Sequence, residues 1–365
     1  MINDERSIVL LKRLSEESGV SGYEMPIRKL LTEYLEPLSD ELLEDHLGSL
    51  AAKITGQEQE LKIMLAAHMD EVGLMVTKIS DEGFIKFLKL GGWWDPVLLN
   101  QKVQIYNSAR KVTGIIGAKA PHILTPEEKK QPVTINSLFI DIGASSKDEV
   151  EALGIRSGDP VVPFSTFEMC ENFRCFRGKA LDDRIGCSML VEIFRELRDT
   201  PVPGTVYGVM TVQEEVGIRG AGTSVSVVKP DLAIVLDVTV ATDTPNISPG
   251  DVVSKTALGK GPVICFYDAS MIPHIPFRDF VVKTAEENQI PYQIELMPGG
   301  GTDAGKIHLY RQGVPSIVIG VPVRYIHDHY GIADLDDYQN ALKLVLALLN
   351  QINSVTFHAI INSHS

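Results

Sequence analysis

Two adjacent glutamates, Glu214 and Glu215, stand at the end of an apolar strand-like run in VYGVMTVQEEVG. Alone they would read as a solvated turn, but other segments end the same way. His68 and Asp70 follow KIMLAA, Asp237 follows AIVL and His327 follows SIVIGVPVRY, while Asp182 and Asp183 open a helical pattern. In open α/β sheets the reactive crevice lies beyond the carboxyl ends of the strands. Distant segments would thus deliver two imidazoles and several carboxylates to one rim. Each residue has an ordinary explanation: a helix cap for the aspartates, an Asx turn for Asp237, a loop hydrogen bond for each histidine. Their joint occurrence, in the types that hold divalent metals, favours a metal centre.

A site for two cations accounts for the whole set. One carboxylate can bridge ions about 3.5–4 Å apart, and Asp182 is the candidate bridge. His68 and Asp237 would complete one shell, and Glu215 and His327 the other. Asp70 is placed to accept the second N–H of the His68 imidazole. Neighbouring side chains at a strand end point in different directions. One glutamate can therefore bind metal while the other takes a proton from an attacking water and hands it to a leaving amine. Glu214 fits the base and Glu215 the ligand, although the local residues leave the two interchangeable. Zn²⁺ or Co²⁺ suits mixed imidazole and carboxylate donors, and Mn²⁺ also suits a mostly carboxylate site.

The elements that must position these residues show in the apolar pattern. Continuous apolar runs at 63–67, 206–212, 232–236 and 317–320 suit strands buried on both faces. Helical periodicity at 4–17, 27–38, 182–199, 270–290 and 333–352 alternates with them. The expected fold is an α/β three-layer sandwich around a mixed, mostly parallel sheet. Residues 72–165 differ, with short segments such as GLMVTKI, KVQIYN and LFIDIGA punctuated by Gly, Pro, Asn and Asp. That section reads as a small all-β domain inserted into a discontinuous catalytic domain of residues 1–71 and 166–365. PEEKKQP is its exposed loop.

Composition narrows the partners. A formal net charge of −14 opposes binding to a nucleic-acid backbone or to an anionic membrane. The four cysteines form no CxxC pair and are expected as reduced thiols. MINDERSIVLLKRL shows no signal-peptide pattern, and LKLVLALL is far shorter than the ~20 residues that span a bilayer. A cytoplasmic protein is expected.

The segments SGVSGYE, AAHMDEVG, LFIDIGASSKDEVEALGIRSGD, GKALDDRIGC, VQEEVGIRGA, VLDVT, GGGTDAGKIH and VRYIHD together resemble the M42 family of metallo-aminopeptidases, nearly end to end and in order. The resemblance implies a zinc-peptidase core with an inserted PDZ-like β-barrel, two Zn²⁺ or Co²⁺ ions, peptide substrates, and dimers assembled into a dodecamer. It implies His68, Asp182, Glu215, Asp237 and His327 as metal ligands, Glu214 as general base, and Asp70 behind His68. A hydroxide bridging the ions would attack the scissile carbonyl.

Likeness to the glutamyl members implies an acidic first residue, which wants a cation in the pocket; Lys260 is the candidate. Gly300, Gly301, Thr302 and Asp303 are expected along the substrate main chain, and His122 is a candidate to help hold the carbonyl. RYIHDHYGI departs from the family pattern and makes His329 a rival to His327. Other readings of the same cage are a deacylase or carboxypeptidase, or a non-catalytic peptide-binding scaffold. A glycosidase would need paired carboxylates and no histidines.

Overall fold

The computed structural model describes residues 4–107, 110–171, 173–248 and 250–363. Four parallel strands make the centre of the sheet: Gly204–Thr211, Glu58–His68, Leu232–Val240 and Ser316–Arg324, bonded in that order. Successive side chains on a strand point to opposite faces. Ile63, Leu65 and Ala67 join one apolar cluster, while Met64 and Ala66 join another across the sheet. A strand covered on both sides must be apolar at every position, which is why these runs do not alternate.

Helices Asp4–Glu16, Met25–Leu35, Leu181–Arg198, Ile275–Glu287 and Leu335–Gln351 pack on the first face. Arg219–Val228 and Ala304–Ile307 cover the second. The expected three-layer sandwich is present. The expected 270–290 helix begins only at Ile275, with a proline in its first turn. No single helix among the described residues is long and apolar enough to cross a membrane.

The sheet is mixed because its flanks run antiparallel. Strands Glu41–Glu44 and Leu50–Ile54 form one edge; Gly331–Asp334, Cys175–Gly178 and Glu168–Met169 form the other. Val263–Tyr267 and Gln293–Leu296 branch from Ser316–Arg324, giving eleven strands among the described residues. Leu232–Val240 outlasts its neighbour Glu58–His68, pairing with it only as far as Val235. It stays paired with Ser316–Arg324 to its end, so Asp237 lies within a strand rather than after one.

Directly after His68 the chain enters a closed antiparallel barrel of six strands, from Gly73–Ile79 to Pro160–Pro163. Val76, Ile85, Val103, Ile116, Ile140 and Val161 fill it as a core of its own. The PEEKKQP segment is exposed and holds a short 3₁₀ turn, Glu128–Lys130.

Candidate metal centre

Asp182 is the hub of the rim. Its Oδ1 lies 2.8 Å from His68 Nε2 and its Oδ2 lies 3.1 Å from His327 Nε2. Asp237 Oδ1 is 4.0 Å from His68 Nε2, and Glu215 Oε2 is 3.2 Å from His327 Nε2. Two donor triads result, His68–Asp182–Asp237 and Asp182–Glu215–His327, each with its ligand atoms within 4.8 Å of one another. They share one carboxylate through opposite oxygens.

Backbone carbonyls set both imidazoles. His68 Nδ1 is 2.9 Å from the Asp70 carbonyl, and His327 Nδ1 is 3.2 Å from the Gly92 carbonyl. An N–H donated there leaves each Nε2 lone pair facing the shared aspartate. The carboxylate of Asp70 is farther from the His68 ring, at 3.6 Å, because it is engaged elsewhere. It accepts from Ser21 Oγ at 2.6 Å and from the backbone N–H groups of Glu214 and Glu215 at 2.9 and 3.2 Å. Glu24 accepts from the N–H groups of Gly22 and Gln213. The SGVSGYE loop therefore clamps the turn that carries the glutamate pair. Asp183 accepts from the His68 N–H at 3.2 Å and the Gly186 N–H at 2.8 Å, joining strand end to helix start.

The rim is held in costly backbone states. Ala180, Gln213, Ile218, Tyr325 and His327 all sit in the left-handed region, at φ of 53–60°. Such residues without glycine's freedom cost about 1–2 kcal/mol each and cluster where a site over-determines them. Gly92 meets the opposite need: a Cβ there would stand 2.9 Å from His327 Nδ1. The GGWW turn of the barrel thus reaches the metal rim, which no donor-type residue in that turn signals.

The donor set fits divalent cations. Burial first, then the charge of Asp182, pushes Asp237 and Glu215 each up to about 8. Burial, only partly offset by His68, raises Glu214 well above the carboxylate range. Burial works against His327, yet Asp182 and Glu215 hold it up at about 9. Glu215 Oε1 is buried with no hydrogen-bond partner. Packed carboxylates with an orphaned oxygen are what a pair of cations would neutralise.

An ion network lies beneath. Glu71 accepts two bonds from Lys179 Nζ, at 2.7 and 2.9 Å, and lies 3.5 Å from Arg184 Nη2. Arg184 also donates to the carbonyls of Met69, Leu14 and Glu17. All three charged groups are buried, and together they tie the His68 strand, the first helix and the Asp182 helix. Glu71→Ala strands two cations, so we expect a loss of about 3–5 kcal/mol. Urea denaturation of the metal-free protein measures it; a change below 1 kcal/mol would refute the assignment.

His68, Asp182, Glu214, Glu215, Asp237 and His327 line one cavity of about 500 Å³ with Gly300, Gly301 and Thr302. Asp303 is buried beside it and accepts from Thr211 Oγ1. Lys260 and His122 are exposed and do not line it. Lys260 sits in a turn whose flanking N–H groups donate to Asp337. His329 is 2% exposed, with both ring nitrogens unpartnered and the ring tilted on Trp93. Burial drives it down to about 4, and His327 is the imidazole at the rim.

Comparison with known proteins follows the same lines. The chain is 36% identical to a lysyl aminopeptidase of Pyrococcus furiosus, over 95% of this chain and 98% of that one. It is 34% identical to a glutamyl aminopeptidase of Lactococcus lactis, over 94% and 96%. A TET aminopeptidase from a marine sediment thaumarchaeote superposes with a TM-score of 0.95 at 46% identity, over 98% and 100% of the two chains. The Pyrococcus horikoshii TET1 peptidase, which can assemble into a tetrahedron or a large octahedral shell, gives 0.84 at 33% identity over 95% and 100%. The family model for M42 glutamyl aminopeptidase matches residues 48–344, and this chain belongs to the M42 family of aminopeptidases.

Proposed function

We propose that the protein is a two-metal aminopeptidase that releases single residues from the free N-termini of short peptides. The observation that carries this is the pair of donor triads sharing Asp182, with Glu214 outside both triads yet on the wall of the same cavity. His68, Asp182 and Asp237 would hold one ion and Asp182, Glu215 and His327 the other, Zn²⁺, Co²⁺ or Mn²⁺ by donor type. Such ions, when bound, supply Lewis acidity toward a carbonyl and lower the pKa of water.

The chain's own residues do the rest. Glu214 takes a proton from the attacking water as its oxygen bonds to the scissile carbon. It returns that proton to the nitrogen as the C–N bond breaks. Asp70 holds the backbone N–H of Glu214 and so fixes where that carboxylate works. Gly300, Gly301 and Thr302 allow the substrate main chain to come close.

Chelation is expected to abolish release of nitroaniline from aminoacyl anilides, and Zn²⁺, Co²⁺ or Mn²⁺ to restore it. A free peptide should lose residues one at a time, whereas its N-acetylated form stays intact. Cleavage of the acetylated peptide at an equal rate would remove the aminopeptidase reading.

The finer points belong to the same proposal. Assembly of dimers into a dodecamer is supported by likeness to a TET peptidase that can assemble into a tetrahedron or a large octahedral shell. A division into catalytic residues 1–71 and 166–365 and an inserted 72–165 is supported by the separate barrel core. A cytoplasmic setting agrees with four free thiols. The acidic first-residue preference expected from sequence needs a cation at the cavity, and no lysine or arginine lines it among the described residues. Relatives named for lysyl and glutamyl release are about equally similar, so side-chain choice must be read from the cavity itself.

A further inference from the structure

The part of the cavity wall that supplies no metal donor bears on which residue is released. Its apolar surface comes from Ile218, Val238, Val240, Met297 and Ile326. Among the described residues, the titratable side chains lining the cavity are the metal donors and Glu214, with no lysine or arginine.

The two wall threonines are committed outward. Thr239 Oγ1 donates to Glu295, and Thr302 Oγ1 donates to Asp268 Oδ2 at 3.3 Å. Both hydroxyl protons therefore point away from the chamber, and neither is offered to a carboxylate in it. Glu295 and Asp268 are 7% and 1% exposed and stand behind the threonines rather than on the wall. Away from the ions, an acidic side chain would meet no lysine or arginine and have two carboxylates at its back. A lysine ammonium would be desolvated without a direct partner, which is costly for a charge. Lys255 is exposed on the adjoining segment, where Ser254 Oγ accepts from the Leu296 N–H, and does not line the chamber.

We propose that this chamber selects an uncharged apolar first residue of leucine or methionine type, with Met297 as a specificity-determining wall residue. The inference rests on the aminopeptidase reading above and adds the substrate class to it. Its test is a panel of Leu-, Met-, Glu-, Asp- and Lys-anilides with the metal-loaded wild-type protein. The kcat/KM for Leu and Met is expected to exceed that for the charged residues by about tenfold or more. Met297→Lys places an ammonium on the wall and is expected to raise the Glu-to-Leu ratio by about tenfold.

Glu or Lys released as fast as Leu would overturn the inference and leave the aminopeptidase reading standing. No release from any anilide or free peptide would remove both. Should Met297→Lys fail to fold, the wild-type panel alone decides; a folded variant with an unchanged ratio would overturn the placing of Met297.

Discussion

Glu214→Gln should keep its full complement of metal and lose between about 10² and 10⁴ in kcat, the range that general acid–base catalysis supplies. The substitution preserves shape, and the amide can no longer accept the proton that must travel from water to the leaving nitrogen. Glu214 belongs to neither donor triad, so ion binding should be unaffected. Its backbone N–H is held by Asp70 Oδ1 at 2.9 Å, so the turn should stay in place. KM should change little, because the loss falls on the transition state rather than on binding. Elemental analysis beside steady-state kinetics checks both halves. A variant with wild-type kcat would show that Glu214 is not the base; a variant that had lost metal would show that the two glutamates had been assigned in the wrong order.

That order illustrates what the sequence makes legible. The chemistry-bearing residues announce themselves because continuous apolar runs end in donor types, and burial on both sheet faces produces such runs. His68, Glu214, Glu215 and His327 can be placed on the rim in this way. Asp237 is less transparent, since its strand continues to Val240 on pairing with one neighbour alone. The short strands at the margins of the sheet escape periodicity for a related reason. ELLE and QIEL are short and only partly covered, so they carry no long apolar signature.

The supporting shell is harder to read. The carboxylate of Asp70 looks like a partner for the His68 ring, yet three other donors claim it, and only the folded turn shows them. Gly92 offers a backbone carbonyl to His327 from a barrel turn whose sequence carries no donor motif. Backbone groups have no residue-type signature, so their contribution to a site is not visible in composition or spacing. The same limit applies to selectivity. Lys260 looks available for an acidic substrate until the turn around it is seen to bind Asp337 instead.

Asp182→Ala tests the centre itself. One carboxylate serves both triads through opposite oxygens, so its removal takes a donor from each ion at once. Loss of Asp237 or Glu215 would touch only one triad. We therefore expect the metal content of Asp182→Ala to fall from two ions per chain to one or none, with activity lost in step. A thermal readout needs no turnover. A ligand at about 1,000 times its Kd stabilises the folded state by about 4 kcal/mol, so wild type should gain markedly in Tm when Zn²⁺ is added to the chelated protein. Most of that gain should vanish in the variant. The metal-free variant itself should remain folded, because Asp182 contacts the two histidines at the rim while the Glu71–Lys179–Arg184 network holds the elements below. If Asp182→Ala bound two ions as tightly as wild type, the shared-carboxylate centre would be disproved, and the separation of roles between Glu214 and Glu215 would fall with it.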